Sequence, residues 1–185
     1  MDFNKSISII GGAGHVGLPL GLAFASKNFR VNLIDLDTKN LKKIALGEMP
    51  FYEIGGKKTL KNCLRKKNLY FSSELRSVQK SKYIIICIGT PISQNLKPQT
   101  KKFFNFFKNL SKFISRKQII IIRSSVYPGI IDKIFNQYKG INTNISYCPE
   151  RIVQSKALVE LKKLPQIVSA KNVKSLRESK KLFSK

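Results

Sequence analysis

Short, unbroken apolar runs recur along the chain, and they leave few folds open. They are Ser6–Ile10 (SISII), Val31–Asp35 (VNLID), Leu69–Phe71 (LYF), Tyr83–Gly89 (YIIICIG), Gln118–Ser124 (QIIIIRS), Asn144–Cys148 (NISYC) and Gln166–Ala170 (QIVSA). The strongest are apolar at consecutive positions rather than at alternate ones. A strand covered on both faces requires that pattern, and such strands belong to parallel sheets. Helix-like stretches separate the runs, at about 15–27, 38–47, 56–67, 99–114, 129–138, 154–162 and 172–184. Strand and helix in alternation predict an α/β fold: a doubly wound, mostly parallel sheet with helices on both faces.

At 185 residues the chain is long enough for one domain with a real core and short for two. It shows no repeat, no low-complexity segment and no linker rich in Pro, Gly or Ser, so a single domain over 1–185 is expected. Apolar residues make up 42%, which points to a globular chain rather than a disordered one. No apolar run reaches the ~20 residues of a membrane helix, and the start, MDFNKS, has no leader pattern. A cytoplasmic location is therefore expected, with no membrane partner. Cys63, Cys87 and Cys148 lie far apart without metal-ligand spacing, and there is one histidine. They read as reduced thiols, with no metal site.

The net charge of +25 is the most unusual number. An excess of that size suits a nucleic-acid binder. Here, however, the lysines are spread over the whole chain, with no basic arm, so a solvated basic surface and no nucleic-acid partner are expected. Such a field also draws in anionic small ligands.

Gly12, Gly14 and Gly17 form G-x-G-x-x-G between the first strand run and a helix of small residues (Leu20, Gly21, Leu22, Ala23, Ala25). The second run ends at Asp35, 18 residues after Gly17. This is the context of a dinucleotide site in a Rossmann-type sheet. On this reading Gly12 permits the tight turn, Gly14 admits the pyrophosphate to the backbone, and Gly17 lets the helix pack close. The helix N-terminus supplies N–H groups and a positive dipole end, with His15 and Val16 beside the cofactor. Asp35 would accept hydrogen bonds from the adenosine ribose hydroxyls. It would repel a 2′-phosphate, favouring NAD over NADP. The plainer alternatives are a glycine turn without a ligand and a surface acid at a strand end.

These residues resemble a known family. GGAGHVGLPLGLAFA is similar to the start of the UDP-glucose/GDP-mannose dehydrogenases, usually G-x-G-Y-V-G-L-P. GEMPFYE (Gly47–Glu53) looks like the family's loop after the second helix. IIICIGTPIS (Ile84–Ser93) resembles its Thr-Pro turn beside the cofactor, and IIIIRSSVYPG (Ile119–Gly129) its R-S-T-V-x-P-G segment. SYCPERIVQSKALVELKKLPQIVSA (Ser146–Ala170) resembles the C-P-E-R variant of the branch that oxidises N-acetylated UDP-sugars. The resemblance runs from residue 6 to about 184.

The resemblance implies an NAD-dependent enzyme that oxidises the 6-hydroxymethyl of a nucleotide sugar to a carboxylate in two steps, through a cysteine thioester. The product would serve polysaccharide biosynthesis. It implies that Glu150 acts in thioester hydrolysis, and that Ser125, at a position usually Thr, holds the catalytic water or a substrate oxygen beside the cofactor. Thr90 and Pro91 would line the cofactor, and Arg151 and Lys156 would reach toward the substrate. Bland alternatives stay open: Glu150 and Ser125 as helix caps, Thr90-Pro91 as a turn.

The family's cysteine segment, G-F-G-G-x-C-x-P-K-D, is not in this chain, and neither are its central and C-terminal domains. The resemblance therefore implies an NAD-binding half that is inactive alone and needs a catalytic half or partner chain, with a homo-oligomer in the full-length form. Two other readings remain: a non-catalytic NAD-binding module or gene remnant, and the NAD-binding domain of a 3-hydroxy-acid dehydrogenase.

Overall fold

The computed structural model describes residues 2–89, 100–142 and 144–184. Seven strands form one sheet: β1 (Ser6–Ile10), β2 (Arg30–Ile34), β3 (Leu69–Ser72), β4 (Tyr83–Ile86), β5 (Ile119–Ile122), β6 (Ile145–Tyr147) and β7 (Ser169–Ala170). Their order is β3-β2-β1-β4-β5-β6-β7, and every pair is parallel except β6 with β7. All but the last strand thus point their carboxyl ends to one edge. The order reverses between β1 and β4, which opens a crevice at that edge where ligands of such sheets bind.

The isoleucine runs explain the middle of the sheet. Ile84, Ile85 and Ile86 of β4 pair with Ile120, Ile121 and Ile122 of β5, and all six are fully buried. Odd and even positions serve opposite faces. Ile9, Ile85 and Ile121 join one core with α1 (Gly17–Ser26), α2 (Thr38–Ala45) and α3 (Gly56–Arg65). Leu158 of α6 (Ala157–Lys163) and Leu182 of α7 (Val173–Phe183) join the same core. Ile84, Ile86, Ile120 and Ile122 join the other, against α4 (Thr100–Leu110) and α5 (Ile130–Tyr138).

α1 is apolar nearly all round, as a helix between sheet and neighbouring helices must be, and it packs on α3 and α6. The Asp37 side chain caps α2 by accepting from Asn40 N–H, and Asn172 caps α7 by accepting from Ser175 N–H. The expected strand at 166–170 is only two residues long and antiparallel. Gln166 is diverted to side-chain bonding, and Pro165 precedes it with no N–H to give a ladder. A 3-10 helix over Leu75–Lys80, between β3 and β4, has no counterpart in the sequence reading. It is too short for a 3.6-residue period to show. No helix among the described residues is long and apolar enough to cross a membrane.

Candidate functional site

The loop from β1 into α1 sits at the switch crevice. Gly11, not Gly12, makes the tight turn: Gly11 has φ +81, a conformation that side chains resist. A Cβ there would lie 2.5 Å from the Cys87 carbonyl oxygen, so Gly11 is wedged between the ends of β1 and β4. Gly12 is a packing glycine, its missing Cβ 2.9 Å from both Ile9 O and Leu33 Cα. The N–H groups of Gly11 and Gly12 both donate to Ile34 O, at 2.9 and 3.0 Å. Gly17 is the closest approach of all, since a Cβ would meet Gly11 O at 2.1 Å. Gly17 therefore does bring the helix tight against the loop, as expected.

Gly14 differs. A Cβ there would meet only Gly11 O, at 3.5 Å, which is ordinary contact. Among the described residues, no packing contact demands glycine at 14. The described residues leave room at that point for a ligand group. The first turn of α1 has no side-chain cap and no acidic residue, so the positive end of its dipole carries no anion of its own; Leu18 and Leu20 N–H already donate to Gly14 O and Val16 O, and Pro19 has no N–H. Val16 is the N-cap residue and contributes backbone only.

Asp35, directly after β2, turns its carboxylate back to the loop. Its Oδ2 accepts from Ala13 N–H at 2.9 Å, and its Oδ1 accepts from Asp37 N–H at 3.1 Å. A carboxylate offers about four acceptor positions, so capacity remains for two ribose hydroxyls. Asp35 is partly exposed, as that role requires. His15 is exposed and stacks on Phe51, with ring centroids 4.0 Å apart. The loop, the open α1 end and Asp35 are thus a set that fits a dinucleotide.

Beside this set lie the ends of β5 and β6. Ser124 is buried and its hydroxyl donates to Ile88 O at 2.6 Å, tying β5 to the strand end beside it. Ser125 is exposed. It does not cap α5, whose N-cap is Gly129 without a side-chain bond. Glu150 lies just beyond β6 and caps no helix. Its Oε1 accepts from the N–H groups of Arg151 and Ile152 at 2.8 and 3.2 Å, and its Oε2 pairs with Arg123. Arg151 and Lys156 are exposed; the Arg151 guanidinium donates to Pro165 O at 2.7 Å. Thr90 and Pro91 lie outside the described residues.

Sequence reasoning missed a strap between these two regions. Phe51 touches His15 of the glycine loop, Ile54 N–H donates to Ser155 O at 2.9 Å, and the buried Glu53 accepts from Leu158 N–H at 2.9 Å. It also missed Arg123, which is 1% exposed. The one signal for it was a lone charge at the end of an all-isoleucine strand.

The three cysteines are not nucleophiles. Burial pushes the Cys87 and Cys148 thiols up to about 12, with the Arg123 charge pulling weakly the other way. Burial also raises Cys63. All three stay protonated near neutral pH, and thiols react as thiolates.

Comparison with known proteins gives the family. Residues 5–185 match the profile of the UDP-glucose/GDP-mannose dehydrogenase family, NAD binding domain. The chain belongs to that family. Its cofactor is NAD. A UDP-N-acetyl-D-mannosamine dehydrogenase of Methanococcus maripaludis is 28% identical over 97% of this chain. A putative UDP-glucose 6-dehydrogenase of Bacillus subtilis is 33% identical over 81% of it. The solved UDP-D-ManNAc dehydrogenase of Pyrococcus horikoshii superposes with a TM-score of 0.89 at 24% identity, over 97% of this chain and 44% of that one. The chain spans only 42% and 36% of the two sequence relatives' lengths, so it corresponds to the NAD-binding part of these dehydrogenases.

Proposed function

We propose that this chain is the NAD half of a nucleotide-sugar 6-dehydrogenase whose substrate is a UDP-N-acetylhexosamine. The observation that carries the reading is the C-P-E-R segment at the end of β6, on the same sheet edge as the glycine loop, in a chain whose relatives include UDP-N-acetyl-D-mannosamine dehydrogenases. Bound NAD supplies the hydride acceptor. Gly14 leaves room for its pyrophosphate, the positive end of the α1 dipole draws it, and Asp35 holds the ribose and turns away a 2′-phosphate. Ser125, a hydroxyl at the exposed end of β5, orients a water or substrate oxygen. Glu150, anchored at both oxygens, accepts the hydrogen bond of a water. Arg151 and Lys156 bring positive charge to a substrate diphosphate.

The thiols of this chain, all held above the usual cysteine range, leave the second oxidation to a cysteine from elsewhere. The direct test is a chimera joining this chain to the remaining segment of the Methanococcus maripaludis relative, assayed for NADH with UDP-N-acetylmannosamine, UDP-N-acetylglucosamine and UDP-glucose. NADH formation with an N-acetylated sugar and little with UDP-glucose supports the reading. A folded chimera that binds NAD and turns over only UDP-glucose, or nothing, contradicts it.

A further inference from the structure

We propose that Arg123 is a positioning residue for Glu150: a buried guanidinium that fixes the glutamate carboxylate at the end of β6 and keeps it an anion. The inference rests on the proposed role of Glu150 as an acceptor toward a water or substrate.

Arg123 follows directly after β5 and is among the most deeply buried side chains of the protein. Its backbone is locked to both neighbouring strand ends: its N–H donates to Ile86 O at 2.9 Å, and its carbonyl accepts from Glu150 N–H at 3.2 Å. The side chain runs inward. Nη1 donates to Gln166 Oε1 at 2.6 Å, Nη2 pairs with Glu150 Oε2, and Cζ sits 5.1 Å from the centre of the Phe183 ring. Cys87 and Cys148 flank it with neutral thiols. A guanidinium stays charged in proteins and is strongly disfavoured when buried without a counter-anion. Gln166, Phe183 and the two thiols carry no charge. Among these neighbours Glu150 alone supplies one.

The consequence falls on Glu150. Two backbone N–H groups hold Oε1 and Arg123 holds Oε2, so the carboxylate cannot swing. Its side chain keeps 12% exposure and borders a cavity of about 790 Å3 that Gln166 and Phe183 also line. A proton on Oε2 would leave the buried guanidinium unpaired. Glu150 therefore orients a water by accepting from it, and does not take its proton. The pair joins β5, β6 and α7 in one cluster, so the chain segments that meet here hold the acceptor by side chains far apart in sequence.

The experiment is amide hydrogen exchange by NMR on the isolated chain, in wild type, Arg123→Met, Arg123→Lys and Glu150→Gln, with an NAD titration of each. Arg123→Met should speed exchange at Arg151 and Ile152 by about tenfold, with β4 and β5 amides unchanged. Arg123→Lys should give an intermediate value, because an ammonium keeps the charge but cannot fork to both Gln166 and Glu150. Glu150→Gln should also release both amides. Exchange at 151 and 152 within twofold of wild type in folded Arg123→Met overturns the proposal. Should Arg123→Met not fold, an unchanged Arg123→Lys overturns it and an intermediate one upholds it. A uniform rise across all strands signals a merely structural role and also overturns it. NAD binding reports separately on the cofactor reading: wild type that fails to bind NAD while Arg123 variants release the two amides would sink that reading and leave this one standing.

Discussion

Gly14 and Gly17 belong to one motif, yet the structure assigns them different work, and alanine substitutions separate the two. At Gly17 a Cβ would lie 2.1 Å from Gly11 O and 2.9 Å from Gly11 C, both backbone atoms. Ordinary contact begins at 3.4 Å, so the methyl is short of it by 1.3 Å. Only a shift of α1 off the sheet relieves this, and α1 is buried against β1, β2, α3 and α6. Overpacking of this kind costs about 3 kcal/mol at the upper end of its range. In a domain of this size that lowers the melting temperature by roughly 6–12 °C. At Gly14 the same methyl meets one atom at 3.5 Å and needs no movement. Gly14→Ala should leave stability within about 0.5 kcal/mol of wild type. Its cost falls on the ligand, since the methyl occupies the space we propose for the pyrophosphate, and NAD affinity should drop by about ten- to a hundredfold. Urea melts followed by circular dichroism and calorimetric NAD titrations read the two effects. A Gly14→Ala protein that is as unstable as Gly17→Ala, or that binds NAD like wild type, would refute the reasoning.

Two further outcomes follow from the ionisable groups. The three thiols should resist a thiolate-directed reagent in the native chain and react at once in urea; fast native labelling of Cys63 or Cys148 would contradict their burial. Glu178 hydrogen-bonds Lys82 and Tyr83, and the Lys82 contact leads in holding its carboxyl below the usual range. A folded value below the unfolded one means the stabilisation is complete above the ordinary carboxylate range and is lost as pH falls through the folded value. Glu178→Gln should therefore cost about 1 kcal/mol at neutral pH and less in acid, measured by urea melts across pH; an equal loss at every pH would count against the ion pair.

The parts of this fold that were legible were those whose cause is local. Four isoleucines in a row at 119–122 can serve only a strand covered on both faces, and β5 is that strand. The glycine spacing and the acid after the second strand were legible signals of the crevice. The sign of φ was not legible: two adjacent glycines, Gly11 and Gly12, look alike in sequence, and only the approach of Cys87 O tells which one turns. The surroundings of Glu150 were less legible still. Arg123 and Gln166 stand 43 residues apart and meet only because β5 and β6 are neighbours and the chain returns past them. The same holds for Glu53 and Leu158, 105 residues apart.

The most direct test of the account is a calorimetric titration of the purified chain with NAD, then NADP, repeated with Asp35→Ala. The account predicts saturable NAD binding, weaker NADP binding, and a loss of about tenfold or more for NAD in the variant, which gives up the ribose contact and the Ala13 tether together. A folded, monomeric wild-type chain that binds neither dinucleotide, or binds both equally with and without Asp35, would contradict it.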